Sequence, residues 1–333
     1  MAGRSRRNGG TAPGRTEIQT YEERLRTLSD GSVRRKFDAF LDIPWDDPAY
    51  AIDPKDPRWA LPRADPLART EWYRSLPAER RSEVGLARLA QMFRVGWQFE
   101  NLLMRGALEH LFLVPNGDPV FRYLTHEVTE EAHHTQMFQE FVNRSGVDVP
   151  GIRRPFRLIH TLIPPLARWL PAAFFMAVLA GEEPIDHFQK SVLRSGGLPH
   201  PLPQRIMQIH VAEEARHISF AHEYLLHTVP GLRPVRRMLL SIALPLMMRI
   251  ACDLLVRPSG ELAKQVGIPR EVMAEAFWDA PESRKMLRDL FADVRMLAER
   301  LGLMTPLSRL VWRRMGIAGR PARYRSEPPA TAA

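Results

Sequence analysis

The chain has 333 residues, of which 45% are hydrophobic, 8% aromatic and 26% charged. That is enough apolar material for one large domain or two small ones, and it excludes a fibrous or wholly disordered chain. A single cysteine, Cys252, excludes an internal disulfide and any multi-cysteine metal site, so a metal would be held by His, Asp and Glu. The formal net charge of +9 looks like a nucleic-acid signal, but six of the nine charges sit at the two ends. Residues 1–15 carry four Arg and no acid, and residues 316–333 carry three Arg and one Glu. No zinc-finger spacing or RNA-binding aromatic strand motif accompanies them, so no nucleic-acid partner is expected. Arg4, Arg6 and Arg7 are not followed by an apolar stretch, which argues against a secretory signal and for the cytoplasm.

Both ends, 1–16 and 316–333, are rich in Gly, Pro, Arg and Ala and are expected to be disordered. Residues 17–66 comprise an amphipathic helical pattern over 17–42 and a Pro/Asp-rich arm over 43–66. Trp45, Trp59 and Leu61 would pack that arm down. A helical domain then spans 67–315. Its helices are predicted at 82–113, 119–144, 168–195, 202–228, 234–256 and 270–300, with Gly146 suited to end the second. Strand-like alternation is nearly absent. The class is all-α: a long ferritin-like helical bundle with additional flanking helices. Two apolar stretches, 171–181 and 238–256, suit buried bundle helices or a membrane-facing surface for a lipid-like substrate. The second is interrupted by Pro245, Arg249 and Asp253, and no stable membrane insertion is expected.

The informative residues are acids and histidines inside these apolar helices. HEVTEEAHHTQMF places Glu131 and His134 three apart, on one helical face. HVAEEARHISF places His210, Glu214 and His217 on one face over two turns. Glu100 lies in VGWQFENLLM and Glu183 in VLAGEEPIDHF, both beside strongly apolar sequence. Glu100 precedes Glu131 by 31 residues, and Glu183 precedes Glu214 by the same 31. The half-site therefore repeats with an offset of 83. Two helix pairs, each giving Glu plus ExxH, form the pattern of dinuclear carboxylate sites in helical bundles. Carboxylates bridge two cations and share their charge, and imidazoles complete each cation while leaving positions open. Without metal, four such buried carboxylates would repel one another at a cost of several kcal/mol each.

Neighbouring residues have two readings. Glu130, His133 and Glu213 either flank the ligand face or hydrogen-bond to a ligating His on another helix. Glu182 and Asp186 pose the same choice beside Glu183. His126, His187, His222 and His227 read as surface or structural. The offset maps His210 onto Glu127, which is either a spare carboxylate or a solvated helix residue. Gly96 and Gly181 either leave room for oxygen and substrate or serve close helix packing.

With these residues in place, the sequence resembles the AurF-like di-iron N-oxygenases, the p-aminobenzoate N-oxygenase type, over roughly residues 65–300. The match rests on Glu100, EEAHH at 130–134, Glu183 in GEEPIDH, and HVAEEARH at 210–217. The HxxxExxH arrangement is its most specific mark. The resemblance implies seven iron ligands: Glu100, Glu131, His134, Glu183, His210, Glu214 and His217. Glu131 and Glu214 would bridge; Glu100 and His134 would serve one iron, and Glu183, His210 and His217 the other. It also implies two Fe ions cycling between Fe2+ and Fe3+, O2 as co-substrate, and a peroxo-diferric species that oxidises aryl-amines to hydroxylamine or nitro products. The expected partners are a small-molecule substrate, with an amine favoured, and a separate electron donor or reductase; a homodimer is one assembly open to the chain. The alternatives are a di-iron C–H hydroxylase or desaturase for an acyl or aromatic substrate, and, more remotely, a non-enzymatic iron-binding protein.

Overall fold

The computed structural model describes residues 19–322; the tail readings for 1–16 and for most of 316–333 lie outside them. The described residues form fourteen α-helices and no strand. They are α1 (Tyr21–Arg34), α2 (Glu71–Ser75), α3 (Ala78–Leu111), α4 (Pro119–Ser145), α5 (Arg154–Ile159), α6 (Leu166–Trp169) and α7 (Pro171–Arg194). The remainder are α8 (Pro201–Thr228), α9 (Pro234–Leu255), α10 (Gly260–Gln265), α11 (Arg270–Ala274), α12 (Pro281–Asp289), α13 (Ala292–Arg300) and α14 (Pro306–Arg314).

Four long helices make the bundle. The α3–α4 hairpin packs against the α7–α8 hairpin, α9 lies along α7 and α3, and α1 covers α4 and α8. Each boundary has a local cause. Asp118 caps α4 by accepting from Val120 N at 2.9 Å, and Pro119 supplies the first turn. Gly146 ends the helix at φ 66°, a left-handed conformation that glycine adopts without strain.

The arm is not featureless. Three Asp-Pro steps open short 3₁₀ turns, in which Asp47, Asp56 and Asp65 each accept from the amide two residues on at 2.8 Å. Trp45 and Trp59 are buried, as expected, and Leu61 packs against the core. The arm presses so closely on α3 that a Cβ at Gly85 would fall 1.8 Å from Trp59 O.

The C-terminal region departs from the sequence reading. The expected helix at 270–300 is broken into α11, α12 and α13, with Trp278 at φ 102° between the first two. Pro281 accounts for the break before α12, because the residue before a proline avoids helical geometry and Ala280 is extended at ψ 144°. The described start of the C-terminal tail is also packed: Ile317 is fully buried, and Arg295 donates to Ile317 O and Arg320 O.

Residues Pro234–Gln265 are long and apolar enough to cross a membrane by length and composition, and half of the qualifying stretch is buried within the fold. The charges inside it have internal partners. Arg249 donates to Asp253 at 2.8 Å and to Met315 O at 2.7 Å, and Trp278 Nε1 donates to Asp253 at 2.6 Å.

Candidate metal centre

The long helices bring a dense set of ionisable groups into the apolar centre. Glu100, Glu127, Glu131, His134, Glu182, His210, Glu214 and His217 are all buried. Their donor atoms converge as two overlapping sets. His134, His210 and Glu214 offer atoms within 4.8 Å of one another, and so do Glu131, Glu182, Glu214 and His217. Glu214 is common to both.

Two carboxylates tie the sets together. Glu131 Oε2 lies 3.0 Å from His134 Nδ1, while its Oε1 lies 2.8 Å from His217 Nδ1. Glu214 Oε1 sits 3.5 Å from His134 Nδ1, 3.4 Å from His217 Nδ1 and 3.4 Å from His210 Nε2. Glu100 Oε1 is 3.7 Å from His210 Nε2, which places it with His134 and His210.

Each histidine is fixed from behind. His134 Nε2 meets Glu213 at 2.9 Å, and His217 Nε2 meets Glu130 at 2.7 Å. The first Glu of each EExxH motif thus orients the histidine of the other motif across the α4–α8 interface. His210 Nδ1 is paired with Gln189 Oε1 at 2.9 Å. Arg216 donates to Glu130 at 2.8 Å and anchors that arm of the array. Such outer partners set ring orientation and tautomer in metal sites. His133 lies apart and accepts from Ala39 N at 3.3 Å.

On α7 the structure differs from the sequence expectation. Glu182, not Glu183, enters the cluster. Glu183 instead meets His222 Nε2 at 2.7 Å, so His222 has a specific partner rather than a solvated surface role. Successive helical side chains diverge by about 100°, so only one of the two faces the centre. Gln189, two turns after Glu182 on the same face, touches His210. Nor does His210 group with His217; its donor set contains His134. Glu127 is not solvated: it is buried beside Tyr123. Gly181 and Gly96 pack closely, with a Cβ at Gly181 landing 1.8 Å from Phe99 and one at Gly96 3.2 Å from Phe138, and both also line the small cavity beside the cluster.

The electrostatics are those of a cation site. Burial, with Glu131 beside it, pushes Glu100 well above the usual carboxylate range. Burial raises Glu182 strongly as well, aided by Glu214, and lifts Glu127 to about 8. For Glu131 burial acts upward too, but His134 and His217 together outweigh it and hold it well below its ordinary value. Burial opposes the charging of His134, yet Glu131 and Glu213 raise it to about 10. Burial drives His210 down to about 4. Several buried oxygens, including both of Glu182 and both of Glu214, make no hydrogen bond. Unpaired buried carboxylate oxygens aimed at histidine nitrogens fit a pair of cations, and carboxylate–imidazole donors suit iron.

A family model described as P-aminobenzoate N-oxygenase AurF matches residues 18–302. An uncharacterised protein of Mycobacterium tuberculosis is 53% identical over 308 residues, covering 92% of this chain and 91% of the relative. One from Mycobacterium bovis is similar at the same identity and coverage. No solved structure matches. The chain belongs to the AurF family of P-aminobenzoate N-oxygenases, and its all-helical fold carries the buried His/Glu cluster consistent with that family's di-metal bundle.

Proposed function

We propose that the chain is a non-haem di-iron oxygenase that oxidises the nitrogen of an amine. The observation that carries this reading is the sharing of two carboxylates: Glu131 gives one oxygen to each of two histidines, and Glu214 faces three. His134, His210, Glu100 and the shared carboxylates would hold one iron; His217, Glu182 and the shared carboxylates would hold the other. Bound iron supplies the redox chemistry with O2. The chain contributes fixed ligand geometry through Glu130, Glu213 and Gln189, and it keeps water away. A small cavity of about 40 Å3 adjoins the cluster, lined by Phe99, Glu100, Phe138, Glu182 and His210. Oxygen and the reacting nitrogen would meet there. The first step balances as RNH2 + O2 + 2 e⁻ + 2 H⁺ → RNHOH + H2O, with the two electrons from a separate reductase. A cytoplasmic location without a nucleic-acid partner is part of the proposal.

A second reading, C–H hydroxylation at the same centre, is favoured by the apolar lining of a larger neighbouring cavity. The test is product analysis. Iron-loaded protein with a chemical reductant and O2 is offered aryl-amines, alkyl-amines and fatty acids, and products are identified by mass spectrometry. Hydroxylamine or nitro products are expected. Carbon hydroxylation would replace this reading by the second, and no oxidised product from any of them would remove both.

A further inference from the structure

The space beside the cluster does not end at the metal centre. Phe99 lines the small cavity on one side and a second cavity, of about 260 Å3, on the other. Helices α3, α7 and α9 contribute to both, with α4 and α8 completing the small cavity and α5 and α6 the larger one. Beyond Phe99 the larger chamber continues along Leu103, Phe174, Val178, Ala251 and Leu254, and every residue lining it is hydrophobic. It reaches the surface, since its lining residues Leu166 and Ile250 are exposed. The segment that covers this end, 154–170, also exposes Leu158 at 81% and Trp169 at 71%.

Phe99 is the one residue among those lining the two cavities that is common to both. Phe99 lies directly on Gly181, where a Cβ would sit 1.8 Å from its Cε1. The glycine preceding Glu182 therefore provides the seat for the ring that the two cavities share.

We infer that the chamber holds the body of the substrate, an extended apolar chain or ring system without a charged group. Its reacting end passes Phe99 to the cluster. The identity of the reaction at that end rests on the oxygenase reading above; the binding does not. Burying apolar surface there is favourable, whereas a carboxylate would lose its hydration and find no cation or donor among the lining residues. A compact carboxylated aryl-amine such as p-aminobenzoate is thus a poor fit to this chamber.

The test is calorimetric binding of n-alkylamines from butylamine to dodecylamine, and of p-aminobenzoate, to iron-loaded protein. Each amine is kept below its aggregation concentration. Affinity should rise roughly two- to fourfold per added methylene until the chamber is full. Ala177 lines the chamber, so Ala177→Phe fills part of it and should weaken dodecylamine by roughly tenfold or more and butylamine much less, with iron content unchanged. If that variant loses iron or folds poorly, the wild-type length series decides alone. Affinity independent of chain length, or p-aminobenzoate binding as tightly as dodecylamine, overturns the inference. Length-dependent binding without any oxidised product keeps the chamber and removes the oxygenase reading. Oxidation of p-aminobenzoate without length-dependent binding does the reverse.

Discussion

Replacing Glu182 by Ala is expected to cost the protein one of its two irons, whereas Glu183→Ala should cost neither. Glu182 belongs to the donor set with Glu131, Glu214 and His217, and both of its oxygens are buried without a hydrogen bond. Losing even an outer partner of a metal ligand typically lowers affinity by about 10–100-fold, so losing a ligand should cost at least that. Glu183 serves His222 on α8, at 2.7 Å, and its loss should lower stability by about 1 kcal/mol or somewhat more. Equilibrium dialysis against limiting ferrous iron, followed by metal analysis and thermal melting, separates the two effects. Iron loss in Glu183→Ala alone would put that residue in the site and set the register of α7 one position further on.

The second large effect is on stability as a function of pH in metal-free protein. Glu100, Glu127 and Glu182 have raised values in the fold, all through burial first. A carboxyl held protonated in the native state contributes stability that is complete below its unfolded value and is lost as pH rises through its folded one. For Glu127 that window runs from 4.5 to about 8. His134, raised to about 10 mainly by Glu131 against the opposing effect of burial, adds a loss in the same direction from 6.5 upward. His210, lowered to about 4 by burial, acts on the other side: its contribution is present above 6.5 and is lost as pH falls towards 4. Metal-free protein should therefore lose on the order of a few kcal/mol between about pH 5 and 8. Iron favours the ionised carboxylates and the neutral histidines, so binding releases protons and its stabilisation grows with pH. Melting curves from about pH 5 to 8, with and without ferrous iron under anaerobic conditions, read this directly. Curves that coincide at every pH would contradict it.

Much of the architecture is legible in the sequence because the bundle helices carry their own punctuation. The α4 and α8 boundaries follow from Asp118-Pro119 with Gly146, and from Pro201 with the VPG turn at 229–231. The two EExxH motifs repeat closely enough to predict that their faces meet, and Glu131, His134, Glu214 and His217 do converge. Register on α7 was harder. Equal spacing of 31 residues favours Glu183, but spacing along the chain fixes a helix's rotation only if both hairpins are built alike. Burial does not decide between Glu182 and Glu183, because Met176, Leu179, Glu183 and Asp186 are buried as fully as Phe175, Val178, Glu182 and Gln189; the rotation is set by how α7 packs on its neighbours. The roles of Glu130 and Glu213 depend on contacts across α4 and α8, which no single helix discloses. Gln189 has no motif at all; only its place two turns after Glu182 marks it. The break at Trp278 was signalled by Pro281, whose restriction on Ala280 interrupts the apolar periodicity of 270–300.

Anomalous diffraction at the iron edge from iron-loaded crystals would show whether the cluster holds two cations between shared carboxylates. Two peaks are expected, about 3.5–4 Å apart as in dinuclear sites generally. Glu131 and Glu214 should lie between them, one peak beside His134 and His210 and the other beside His217 and Glu182. A single peak, or peaks away from these residues, would contradict the account.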